Sequence, residues 1–356
     1  MMTKSDLERT FKQVTKFSAK HDRITLQHAL PLPFTMQATV VLTDASPCTI
    51  TATIPGGITH EFTVSVTVSD FARLLRAMPN NTDILDMRVV STESFEIRQG
   101  NRVYTVSCKM EEKIKHPLIM GRYTLDFEST QKTIQEVLPA VGHDHGRPVL
   151  SYISCTGDKM VAVDGYRLHM SEHEAPEDFS LLLPYEVATI IADMPPPITT
   201  DLVIKTDPPC SITAGNLTFV FDKPLGTYPD FSQIIPPQGT THPHAFFIDT
   251  KDLTNELKLV MKVNSTLVNF SLDEQLSIEA NDGQELSTAT SLPIETATRQ
   301  PDTLLVSYNP RPVLDALKAA SSQDVCIEID SLNRLFITPS HWFYPLAIIM
   351  PIHRSK

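Results

Sequence analysis

The feature that most restricts how this chain can fold is an internal repeat. Three amphipathic helices open on an acidic residue, running from Asp6 to Phe17, Asp126 to Leu138 and Asp252 to Val263. A second helix starts about 60 residues after each of these, from Asp70 to Met78, Pro184 to Met194 and Pro310 to Ala320. Ser69 stands as the N-cap of the first of this second set, and proline opens the other two. Both series recur with a period of 114 to 126 residues, and a third of the 356-residue chain is about 119.

Between and after the helices the apolar residues alternate with a period of two, as they do in half-buried strands. ITATI, EFTVSVTV, FEIRQG and RVYTVSC occupy the first third. YISC, MVAVDGYRL, DLVIK, CSITAG and LTFVF fill the second, and LVNFSL, LSIEA, VCIEID and RLFITP the third. Hairpins turn at Gln99-Gly100-Asn101 and Ala214-Gly215-Asn216. The pattern predicts an α+β protein of three repeated domains, 1–121, 122–240 and 241–356, each with two helices packed on antiparallel sheets. The short, proline-bearing segments Lys115–Tyr123 and Pro236–Pro243 mark the joints.

Several function classes are excluded by what the chain lacks. Its 12 glycines form no GxGxxG, GxxxxGK[ST] or GxSxG pattern, so the backbone elements of dinucleotide, P-loop and nucleophile-elbow sites are missing. The first residues, MMTKSDLERTFKQ, carry no apolar signal segment, and the longest apolar run, Tyr344 to Ile352, is too short to cross a membrane. Five dispersed cysteines without a CxxC pair read as reduced thiols of a cytoplasmic protein without membrane contact. His169 and His173 match HxxEH, but that motif falls on a predicted strand. There the two rings stand roughly 13 Å apart at about 3.3 Å per residue, too far to share a zinc ion. His143 and His145, and His242 and His244, read as polar loop residues. Asp164-Gly165 reads as a tight turn. No catalytic residue, metal site or cofactor site is expected, so the chain reads as a non-enzyme.

The formal charge is −12, from 30 basic and 42 acidic residues, but it is unevenly spread. The thirds carry +2, −9 and −5. At about 100° per residue, Leu7, Phe11, Val14 and Phe17 form an apolar stripe, with Arg9, Lys12, Lys16 and Lys20 roughly opposite. Arg73 and Arg76 oppose Phe71, Leu74, Leu75 and Met78 in the same way. Lys258 and Lys262 face away from Leu253, Leu257 and Val260, while Arg311 and Lys318 share one side of their helix. The basic stripes are expected to be largely free of acidic residues. Cations spaced along helix faces suit a phosphate backbone and sequence-independent, salt-dependent binding. The middle third departs from this, carrying Lys132 among Glu128, Glu136, Glu186 and Asp193.

Five stretches, in order, resemble the bacterial DNA sliding clamp family, the beta subunit of the replicative DNA polymerase III. RPVLSYISCTGDKMVAVDGYRLHMSE is similar to the family's RPxLxGV…LxLVATDGHRLA run, and LLLPYEVATIIADM to its LPxKxLxEL helix. TYPDFSQIIP is similar to FPDYxxxIP, YNPRPVLDALKAASSQDVCIEI to FNxxYLLDALK…V.LE, and IIMPIHR to the closing xMPxRL. The resemblance spans the chain, though the first third matches in length and pattern alone.

It implies three clamp domains per chain and a ring formed by a head-to-tail homodimer, with helices lining a hole that holds double-stranded DNA. It also implies a processivity factor acting in DNA replication, which holds a replicative polymerase and clamp loader subunits through short clamp-binding peptides. By the matching motifs the peptide pocket comprises Leu150, Val163, Gly165, Tyr166, Arg167, Leu168, Pro229, Gln233, Ile234, Asn309, Ile348, Met350, Pro351 and Ile352. Arg23 in HDRITL and Arg147 in HGRPVL join the stripes as DNA contacts. Tyr166 stands in place of the family's usual His, Gln233 in place of a frequent basic residue, and His353 in place of the penultimate Arg. An alternative is a diverged clamp-like paralogue, an assembly scaffold with weakened DNA binding.

Overall fold

The computed structural model describes residues 3–16, 18–19, 22–28, 35–42, 48–55, 61–80, 83–112, 123–143, 146–196, 201–237, 239–281, 283, 286–298, 304–340 and 343–352. Lys20 and the 115–122 part of the first joint lie outside them, as do Phe17, His145 and His353.

All six expected helices are present: α1 (Lys4–Val14), α2 (Val68–Ala77), α3 (Phe127–Val137), α4 (Tyr185–Asp193), α5 (Thr250–Val260) and α6 (Pro310–Ala320). Thr3 starts α1 in a capping box with Asp6, Asp249 caps α5, and Asn309 caps α6, where Pro310 fills the first turn. In α2 the cap is Thr67, whose hydroxyl accepts the Asp70 N–H; Ser69 sits inside the first turn. The expected cap at Ser69 is thus two residues late, because Thr67 ends the preceding strand in extended conformation and supplies the same oxygen earlier.

The chain divides into two compact units. The first comprises 1–128 and 189–223, the second 129–188 and 224–356. In the first unit, one sheet has nine strands in the order Lys109–Met110, Phe62–Thr67, Arg23–His28, Thr35–Leu42, Cys48–Pro55, Leu217–Phe221, Cys210–Ala214, Asp201–Lys205 and Tyr123–Asp126. A three-stranded sheet holds Leu85–Ser91, Ser94–Gln99 and Arg102–Ser107. The hairpin turns at Gly100 and Gly215 both take φ of +57°, a left-handed conformation that glycine adopts without a Cβ penalty. The buried face of α1 supplies Leu7, Phe11 and Val14, and Phe11 meets Phe71 of α2 with ring centroids 5.3 Å apart. Each such fully buried side chain contributes about 1.5–3 kcal/mol relative to exposure.

In the second unit, nine strands run in the order Ser180–Pro184, Tyr152–Thr156, Lys159–Val163, Arg167–Glu172, Leu346–Ile349, Leu335–Pro339, Asp324–Ile329, His244–Asp249 and Glu295–Thr298. Its four-stranded sheet is Ser287–Pro293, Gln275–Asn281, Val268–Leu272 and Leu304–Tyr308. One core cluster joins Leu253, Leu257 and Val260 of α5 with Val313, Ala316 and Leu317 of α6 over Phe270 and Tyr308. A second cluster gathers Val149, Leu150, Val161, Val163, Leu168, Met170, Phe336, Leu346 and Ile348.

The two nine-stranded sheets obey one rule. The last strand of a sequence repeat pairs antiparallel with the third strand after the first helix of the repeat before it. Leu217 to Phe221 lies against Ala52 to Cys48, and Leu346 to Ile349 against Met170 to Arg167.

Candidate functional site

The predicted peptide residues fall in the second unit, around the turn that precedes strand Arg167–Glu172. Asp164 shapes this turn: one carboxylate oxygen accepts the Tyr166 N–H at 2.8 Å and the Arg167 N–H at 3.0 Å, and the other accepts Arg167 Nε at 3.0 Å. Arg167 also donates to Asp315 of α6. Gly165 takes φ of +93°, and a Cβ there would stand 3.0 Å from the Arg147 guanidinium. That contact joins Arg147, grouped by sequence with the DNA-facing cations, to the peptide-site turn. On the other side the Met350 N–H donates to the Tyr166 carbonyl at 2.9 Å.

This bracing leaves Tyr166 74% exposed beside Met350 at 41%, over a floor of buried Leu150, Val163, Leu168 and Ile348. Tyr228, Phe231 and Ile234 pack against the same cluster, and the Tyr228 hydroxyl donates to the Val161 carbonyl at 3.1 Å. Pro229 and Gln233, on this segment, are exposed. Asn309 is engaged in its own helix, its Oδ1 accepting the Arg311 N–H at 3.1 Å. Pro351 and Ile352 border a separate cleft of about 280 Å³ with Asn269, Leu305, Ser307 and Asn333, and the Ile352 N–H reaches the Ser307 carbonyl at 2.8 Å. An apolar floor with an exposed tyrosine and methionine on a braced turn can accept apolar side chains of an extended peptide.

The histidines behind the turn are structural. His169 and His173 are buried and bond different backbone carbonyls, those of Glu136 and Thr156, each at 3.0 Å. Burial pushes the His169 ring down to about 4, against the pull of its bond to the Glu136 carbonyl. His242 and His244, expected in a polar loop, are instead buried; His242 stacks on Phe336 at 4.6 Å and His244 begins a strand. The imidazole face offers flat apolar surface, which a sequence pattern of isolated polar residues conceals. No cluster of three metal-ligating side chains occurs among the described residues.

The basic helix faces differ from expectation in one respect. Arg9 and Lys12 on α1 and Lys16 just beyond it are exposed, but carboxylates meet each of them: Arg9 to Asp6 at 3.2 Å, Lys12 to Glu8 at 3.4 Å, and Lys16 to Asp193. On α2, Arg73 pairs with Asp70, whose carboxyl is held below its usual range first by the Thr67 hydroxyl and then by Arg73. The expectation of stripes largely free of acid is therefore corrected, because residues three and four positions away share a helix face. Arg76 donates to the Ala72 carbonyl of its own helix at 3.2 Å. Arg23 is half-buried, with Nε on the Ser65 hydroxyl at 2.7 Å. Lys258 on α5 and Lys262 just beyond it are exposed and have no ion pair among the described residues.

With six helices and these sheets, the fold is that of DNA sliding clamps. The crystal structure of the DNA polymerase III beta subunit from Thermotoga maritima is similar with a TM-score of 0.83 at 17% identity, covering 99% of both chains. The DNA polymerase sliding clamp from Pseudomonas aeruginosa is similar at 0.81 and 16%, again covering 99% of both. In sequence the chain is similar to curated bacterial beta sliding clamps. It is 26% identical to that of Chlamydia muridarum over 241 residues, 65% of this chain and 64% of that protein. It is 22% identical to that of Streptococcus pneumoniae over 301 residues, 78% of this chain and 76% of that one. The chain thus spans less than two thirds of the first of these relatives. No protein-family model matches it.

Proposed function

We propose that this chain is a DNA sliding clamp, a non-catalytic processivity factor that encircles duplex DNA in the cytoplasm and tethers a replicative polymerase and other clients. The observation that carries the proposal is the strand-pairing rule. Two of the three third strands, Cys48–Pro55 and Arg167–Glu172, are covered by the last strand of the following repeat. The remaining third strand, Ser287–Pro293, and Arg102–Ser107, the last strand of the first repeat apart from the two-residue Lys109–Met110 that pairs within its own repeat, are edges of their sheets among the described residues. Open edges invite pairing with another chain. Applying the same rule between copies pairs the third repeat of one with the first repeat of the next, and a heterologous contact of this kind satisfies both edges in a closed ring. Val103, 49% exposed on the edge strand, suits that contact.

In this proposal the repeats 1–121, 122–240 and 241–356 are the three clamp domains, and two chains form a head-to-tail homodimer. Arg9, Lys12, Lys16, Arg73, Arg76, Lys258 and Lys262 face the duplex, with Lys20 and Arg23 near it. The braced turn around Tyr166 receives clamp-binding peptides of polymerase and clamp loader subunits.

The test is retention on DNA. The loaded protein should stay on nicked circles and run off linear duplex, and Val103→Glu, which places a charge in the closing contact, should raise the dimer dissociation constant about 10-fold or more. A protein monomeric at micromolar concentration, or one held equally by circles and linear DNA, overturns the ring.

A further inference from the structure

The basic helix faces include two electrostatic classes of cation. On and just beyond α1, each of the three described cations of the stripe has a carboxylate within ion-pair distance. Two of these acids are not needed to build the helix. Asp6 closes the capping box of α1, but Glu8 stands in the second turn, between Lys4 at 3.9 Å and Lys12 at 3.4 Å. Asp193, the last residue of α4, has a side chain 70% exposed and reaches across to Lys16. A carboxylate at a helix C-terminus opposes the helix dipole, so α4 itself gains nothing from it. Arg9, Lys12, Lys16, Glu8 and Asp193 line one open cleft of about 480 Å³ over Ile190 and Met194. Lys258, Lys262, Arg311 and Lys318, by contrast, are exposed and carry no ion pair among the described residues.

We propose that Glu8 and Asp193 keep the α1 face self-neutralised, so that phosphates are gripped by the unpaired cations of α5 and α6 while α1 binds only by exchanging carboxylate for phosphate. This rests on the clamp function above. The energetics make the exchange feasible. An exposed ion pair contributes little to stability, so a phosphate can displace the carboxylate. The displaced carboxylate nevertheless stays within about 10 Å, the screening length at 0.1 M salt, and repels the incoming phosphate. Each paired cation therefore releases less than the full share of counterions that an unpaired one does. The ring then holds DNA unevenly, with firm and yielding faces each present twice around the two-chain ring, which suits a protein that must stay on the duplex yet move along it.

The experiment measures affinity of the full-length protein for a short fluorescent duplex across a range of potassium chloride concentrations. Glu8→Gln and Asp193→Asn, alone and together, are compared with Lys258→Gln/Lys262→Gln and with Arg9→Gln/Lys12→Gln. Removing each carboxylate should steepen the plot of log affinity against log salt by up to about 1 and tighten binding several-fold at low salt. Removing Lys258 and Lys262 should flatten it by about 2, and removing Arg9 and Lys12 by clearly less. Circular dichroism melts report whether each variant is folded, and the two acid variants lie on different helices, so either alone suffices. Wild-type binding that is salt-dependent but unchanged by both acid variants overturns the proposal while leaving the clamp function standing. So does an equal loss from the Lys258/Lys262 and the Arg9/Lys12 variants. A wild-type protein with no salt-dependent DNA binding overturns both.

Discussion

The two compact units share a plan and differ in what they display. Each is organised by a nine-stranded antiparallel sheet that joins the last strand of one repeat to the third strand of its predecessor. In each, helices bury Leu and Val against the strands. The surfaces then diverge. The first unit turns Arg9, Lys12, Lys16 and Arg73 toward its own carboxylates at Asp6, Glu8, Asp193 and Asp70, whereas the second leaves Lys258 and Lys262 without an ion pair among the described residues. The second also gathers an apolar floor under the exposed Tyr166 and Met350. A sheet register is set by backbone pairing and alternate burial, which many sequences can satisfy. Charge pairing and rim exposure depend on single side chains, so the same scaffold carries two different surfaces.

The largest expected effect tests whether the units are separate cooperative bodies. Phe71 is fully buried, and Phe71→Ala should cost about 3–5 kcal/mol. Hydrogen exchange should then accelerate in strand Phe62–Thr67 and leave Val268–Leu272 protected; Phe270→Ala should do the reverse. Equal loss in both places would mean one cooperative body and dissolve the comparison.

A smaller effect addresses the peptide turn that distinguishes the second unit. Tyr166→Ala combined with Met350→Ala should weaken binding of a clamp-binding peptide by about 10-fold or more, because exposed aromatic anchors carry much of such contacts. Thermal stability should change little, since both side chains are largely exposed. An unchanged peptide affinity moves the site elsewhere.

The smallest effect is a pH dependence confined to the second unit. His169 is neutral in the fold, with its ring pushed down to about 4 from an ordinary 6.5. As pH falls, the unfolded chain takes up the proton first, so stability present above 6.5 should decline between 6.5 and about 4. His173, also lowered by burial, contributes in the same direction. His169→Gln, which keeps a donor for the Glu136 carbonyl, should flatten that decline in denaturant titrations at a series of pH values. An unaltered slope would assign the dependence to other groups.

Much of the fold was legible along the chain. The six helices follow from apolar spacing, and α6 runs from Pro310 to Ala320 as expected. The hairpins at Gly100 and Gly215 follow from turn chemistry, and the HxxEH stretch proved to be a strand because its apolar period is two. The strands at 23–28, 35–42, 287–293 and 346–349 were not among the expected runs. The apolar cluster under the proposed peptide turn was visible only through the motif resemblance, as Leu150, Val163, Leu168 and Ile348 look in sequence like any core residues.

Sequence alone therefore determined the threefold repeat, the α+β class, the absence of nucleotide-binding and nucleophile-elbow motifs, and the helices that carry exposed cations. These are local matters of period, capping and composition, and a linear chain records them directly. Only the tertiary structure decided which partner each cation meets and which repeat lends a strand to which sheet. Asp193 reaches Lys16 from 177 residues away, and the guanidinium of Arg147 rests on Gly165. Such contacts are fixed by the packing of distant segments, and no spacing along the sequence encodes them.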